Sequence, residues 1–114
     1  MKIDDATALR LYLQSQAGTP MGNRESNANE EARLAILDVP CEVKFGFSSR
    51  KNSGTVEIHA CAWIFSSFGN DFFGAFYLPV ADDSNAPSIL NLTIANAIEQ
   101  AKANPKFHAA KRQS

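Results

Sequence analysis

The sequence holds few of the residues from which metal and redox centres are built. It has two cysteines and two histidines in 114 residues, too few for a disulfide framework or a four-ligand zinc site. Reduced thiols and a cytoplasmic setting are therefore expected. Charge of one sign is also lacking: eleven Lys and Arg stand against twelve Asp and Glu, for a net charge of -1. That balance lacks both the basic surround of a nucleic-acid protein and the acidic excess of a DNA mimic. No run approaches the roughly 18 apolar residues of a membrane helix. The most apolar stretch, Phe72 to Val80, is short and interrupted by Gly74 and Pro79. Met1-Lys2-Ile3-Asp4-Asp5 has no apolar core or cleavage site of a secretory leader.

Catalytic motifs are missing as well. Gly69 and Gly74 match neither a P-loop nor a dinucleotide fingerprint. Asp82-Asp83 are adjacent and splay apart, and Asp4-Asp5 read as helix caps, so no pair of carboxylates is set for acid–base work. His59 and Cys61 alternate along one strand and share a face, which is how a metal site or a Cys–His pair starts, but the only other histidine is His108. The expectation is a protein that is not an enzyme and carries no cofactor or metal.

What is present suffices for one core: 45% of residues are apolar, and the length is that of a single domain over 1–114. Asp4 to Gln16 reads as a helix capped by Asp4 or Asp5, with Leu9, Tyr12, Leu13 and Gln16 on one side. Residues 18–29, rich in Asn, Gly and Ser, read as a mobile loop. Residues 28–36 fit a short second helix, and Leu34, Ile36 and Val39 fit a strand equally. Three strands follow, at about 40–48, 55–65 and 72–80. Their short polar connections, including Ser48 to Gly54, call for antiparallel neighbours. Pro87 sits in the first turn of a last long helix, striped by Leu90, Ile94, Ala97, Ile98 and Ala101. Residues 105–114 read as a frayed basic tail.

The resulting fold class is α+β: a three-stranded antiparallel sheet with the N- and C-terminal helices on one face, in the order α-(α)-β-β-β-α. Burying Cys41, Val43, Phe45 and Phe47 together with Val56, Ile58, Ala60, Ala62 and Ile64 sets Phe45 across from Ile58 and Cys41 across from Ala62. Cys61 then points the other way, and no Cys41–Cys61 disulfide is expected. Phe72, Phe76, Leu78 and Val80 fit the same core face.

The opposite face collects His59, Cys61, Trp63, Phe65, Phe73 and Tyr77. An aromatic cluster of that kind is either a second core layer, formed by residues 19–39 folding over it, or a contact surface. The function this favours is protein binding, of the small inhibitor, immunity-protein or adaptor type that mobile elements encode, or a homodimer seam. The alternative is stacking of single-stranded nucleic acid on the same face, with Arg50 and Lys51 meeting phosphates. The partner-binding candidates are thus Trp63, Phe65, Phe73, Tyr77, His59, Arg50 and Lys51.

The order α-β-β-β-α resembles that of the double-stranded-RNA-binding domain. The start of the last helix, lysine-rich in that family, reads Ser88-Ile89-Leu90-Asn91-Leu92 here. Tyr77-Leu78-Pro79 and the following helix through Ile94-Ala95-Asn96 are similar to type III secretion chaperones, whose later hairpin and last helix have no room in this chain. Neither resemblance carries a function over.

Overall fold

Two tight connections shape the sheet. Between Ile36 and Val39 the chain turns through Leu37 and Asp38, both with positive φ (50° and 66°). That is the geometry of a two-residue turn whose twist matches its flanking strands. A second hairpin closes across Asn52 and Thr55, with Gly54 at φ 85°. The computed structural model describes residues 2–17, 26–52, 54–67 and 71–113. The elements are α1 (Asp5–Gln16), β1 (Ser26–Ile36), β2 (Val39–Asn52), β3 (Thr55–Ser66), β4 (Phe72–Pro79), α2 (Ala86–Lys102) and α3 (Pro105–Gln113).

The class is α+β, as expected, but the sheet has four strands, in the sequential antiparallel order β1-β2-β3-β4. The extra strand is β1, where the expected order placed a short helix and Leu34, Ile36 and Val39 fitted a strand equally. Its residues alternate with period two. Glu30, Ala32, Leu34 and Ile36 pair with Phe45, Val43, Cys41 and Val39 on one face, and Glu31, Arg33 and Ala35 lie on the other. Glu30 reaches α1 and forms an ion pair with Arg10. The mobile loop expected over 18–29 lies outside the described residues as far as 25, and its last four residues belong to β1.

The β2–β3 pairing differs from expectation by four residues. Phe45 sits across from Ala62 and Cys41 across from Ser66. Polar side chains do not end a ladder, so β2 continues through Ser48 and Ser49 to Asn52, and the turn comes at Gly54. An even displacement keeps every side chain on its face. Cys41, Val43, Phe45, Phe47, Ile58, Ala60, Ala62 and Ile64 are therefore buried together, as the alternation predicts. Both cysteines are free thiols on opposite faces.

A β-bulge interrupts β4. Ile64 pairs with Gly74 while Phe65 pairs with Phe72, leaving Phe73 as the extra residue. Bulges re-aim side chains, and this one exchanges the expected places of Phe72 and Phe73. Phe73 is 1% exposed and packs edge-on against Phe107 of α3, ring centroids 5.6 Å apart. The tail expected to fray at 105–114 is thus a helix over Pro105–Gln113, anchored by the fully buried Phe107.

The helices cover one face. On α1 the buried side chains are Ala8, Leu11, Tyr12 and Ser15, one position round from the expected stripe, so Leu9 and Leu13 are exposed. Tyr12 meets Phe47 edge-on at 5.5 Å, and Leu11, which lies off the expected stripe, is buried on the same side of the helix. Asp4 caps α1, accepting from the Thr7 N–H at 2.7 Å. Leu90, Thr93, Ile94, Ala97 and Ala101 of α2 complete the core. Asn91 secures the N-terminal segment: it accepts from the Ile3 N–H at 2.8 Å and donates to the Ile3 carbonyl at 3.3 Å.

Candidate aromatic sheet face

The second face of the sheet is built from the residues that alternate with the core. Across the four strands its rows run Asn29–Gly46–Cys61–Tyr77, Glu31–Lys44–Trp63–Ala75 and Arg33–Glu42–Phe65–Phe72. The β1–β2 half is polar, with Arg33 and Glu42 paired at 3.2 Å. The β3–β4 half is aromatic. Among the described residues no element lies over this face, because residues 26–36 widen the sheet sideways instead of folding across it.

The aromatic half is internally ordered. The Trp63 indole N–H donates to the Tyr77 hydroxyl at 2.6 Å, and the two rings meet edge-on at 5.7 Å. Phe65 and Phe72 form a second edge-on pair at 5.7 Å. Tyr77 is 47% and Phe72 43% exposed, while Trp63 and Phe65 are half-buried. Each pair joins neighbouring strands, so the rings are held by the sheet and by each other.

Of the expected site residues, Trp63, Phe65 and Tyr77 lie together on this face, with His59 one row along, between Ser48 and Pro79. Phe73 does not; the bulge sends it into the core and puts Phe72 in its place. No alternation rule exposes that exchange, since a bulge adds one residue without a sequence mark. Arg50 and Lys51 belong to the end of β2, paired with Glu57 and Val56; their side chains lie outside the described residues.

His59 and Cys61 lie two residues apart on β3 and share the outer face. The Cys61 thiol is fully buried and donates to the Gly46 carbonyl at 3.3 Å. The Cys41 thiol lies on the other face, where burial pushes its pKa up and keeps it protonated. Among the described residues no group of three or more His, Cys, Asp or Glu side chains is placed to hold a metal ion. No described helix is long and apolar enough to cross a membrane.

No protein-family model, curated protein or solved structure matches the chain.

Proposed function

We propose that this chain is a non-enzymatic protein-binding module, of the small inhibitor, immunity-protein or adaptor type, whose contact surface is the outer face around Trp63, Phe65, Phe72 and Tyr77. One observation carries the reading: four aromatic side chains share a face over which no described element lies, and two of them are close to half exposed. Trp and Tyr dominate binding hot spots because they bring large apolar area with little conformational freedom to lose. The hydrogen bond and edge-on packing between Trp63 and Tyr77 hold that area ready before a partner arrives. The polar β1–β2 half supplies the charged margin of such a patch.

The test is affinity capture from the native host, identified by mass spectrometry, with wild type beside Trp63→Ala and Tyr77→Ala. A partner held by wild type and weakened about thirtyfold or more by either folded variant is the hot-spot outcome. Folded variants that retain the same partner unchanged defeat the reading.

A second reading has one observation in its favour. Lys44 stands directly across from Trp63, a cation beside a stacking ring, as single-stranded nucleic acid requires. Glu31 and Glu42 on the same face oppose it. A gel-shift assay with a single-stranded oligonucleotide decides: binding that falls steeply with salt and weakens on replacing Arg50 and Lys51 favours this reading, and no binding at low salt removes it.

A further inference from the structure

The two edges of the sheet are not alike. β1 carries Glu30, Glu31 and Arg33, the charges that usually keep an edge from pairing with another chain. β4 reads Phe-Phe-Gly-Ala-Phe-Tyr-Leu-Pro, with no charge at all. Its backbone pattern follows from one bond beyond its end, the Val80 N–H to the Ile58 carbonyl at 2.9 Å. Antiparallel ladders alternate bonded and non-bonded pairs. Leu78, Phe76 and Gly74, paired with Ala60, Ala62 and Ile64, therefore bond inward to β3. Ala75 and Tyr77 direct both N–H and C=O away from the sheet. Pro79 faces outward too, where its missing N–H costs the ladder nothing.

We propose that β4 is a self-pairing edge: two copies join antiparallel about a two-fold axis at Phe76, forming one continuous eight-stranded sheet. In that register Ala75 and Tyr77 of one copy exchange N–H···O=C bonds with Tyr77 and Ala75 of the other, four bonds in all. Across the axis Tyr77 meets the small Ala75, and Phe76 meets its own copy. The ladder also ends cleanly. Phe73 comes opposite Pro79, and the Phe73 carbonyl already accepts from Asn104 Nδ2 at 2.8 Å. It needs no donor, and Pro79 has none to give. A two-residue shift of pairing to one side leaves an Ala75 carbonyl facing Pro79; a shift to the other sends the Tyr77 N–H to the occupied Phe73 carbonyl. Of these three registers, the one about Phe76 is that in which every outward group of Ala75 and Tyr77 finds a partner not already engaged.

This seam uses the edge and leaves the outer face open, so it stands apart from the protein-binding reading. The aromatic rows of the two copies become continuous across it.

Mass measured by light scattering over a concentration series, together with amide hydrogen exchange, tests it. The wild type is expected to approach twice the chain mass as concentration rises, with the Ala75 and Tyr77 amides gaining protection in step. Ala75→Pro removes one outward N–H and leaves the β3 ladder whole; it is expected to fold and stay at one chain mass. Ala75→Ser keeps the N–H and the dimer. A wild type that stays at one chain mass to about 1 mM, the weak end of the affinity scale, overturns the proposal. So does a folded Ala75→Pro chain that dimerises like wild type. If Ala75→Pro does not fold, hydrogen exchange on the wild type decides alone: Ala75 and Tyr77 amides that stay open in a doubled-mass species place the seam elsewhere. Loss of partner capture by Trp63→Ala with the dimer intact separates failure of one proposal from failure of the other.

Discussion

The side-chain amide of Asn104 donates to the main-chain carbonyl of Phe73 across 31 residues, at 2.8 Å. The same side chain accepts from the Lys106 N–H at 2.8 Å and so caps α3. One residue therefore satisfies the carbonyl that the bulge turns out of the ladder and starts the helix whose Phe107 fills the space beside Phe73. Asn104→Ala removes both bonds. It is expected to cost about 2 kcal/mol, the sum of a lost cap and a stranded carbonyl. Urea unfolding of the two chains reads it as a lower midpoint with an unchanged slope.

α2 approaches the sheet closely at Gly74. A Cβ there would stand 2.9 Å from the Ala101 backbone nitrogen and 3.2 Å from the Gln100 backbone carbonyl carbon. Backbone cannot move aside as a side-chain tip can. Gly74→Ala is expected to destabilise by about 1–3 kcal/mol through overpacking. The expected result is a lowered melting temperature, and an unchanged one would mean that α2 is not seated on β4 as described.

The β1–β2 turn can be improved. Leu37 and Asp38 both occupy the left-handed region, which costs most for a bulky residue. Leu37 is also 47% exposed, so little packing compensates. The double change Leu37→Asn, Asp38→Gly gives this turn its preferred pair. It is expected to raise stability by roughly 1–2 kcal/mol, read as a higher denaturation midpoint.

Alkaline unfolding should report on Tyr12. Burial raises its pKa above the ordinary value of 10.0, and the neighbouring Asp83 and then Asp82 push it further up. A group with a raised folded pKa holds its proton more tightly in the native state. Its contribution is whole below the unfolded pKa near 10 and is lost as pH rises through the folded value. Tyr12→Phe cannot ionise, so the stability gap between the two chains should change with pH in that range. Denaturant midpoints measured from about pH 8 to 11 test this; parallel curves for the two chains would contradict it.

The sheet faces were legible in sequence because alternation survives most errors. Phe45, Val43, Ala60 and Ala62 went to the right side although the pairing was four residues off. What escaped was whatever depends on a single local event. The turn at Leu37–Asp38 carries no glycine or asparagine, so β1 had no visible end. The bulge at Phe73 exchanged two adjacent phenylalanines. Phe107, one aromatic in a basic polar segment, looked like tail until the bulge supplied a ring for it to pack on. Of the candidate face, Trp63, Phe65 and Tyr77 were readable and Phe72 was not, for the same reason.

Sequential strand order has a kinetic consequence. Every strand pairs with its neighbour in the chain, so the sheet assembles through short loop closures, which are entropically cheap. The bond between Ile3 and Asn91 instead spans 88 residues. The N-terminal segment can be secured only after α2 is in place, which makes it a late event on the folding path. Loosening it, as Asn91→Ala would, should speed unfolding while leaving the folding rate almost untouched.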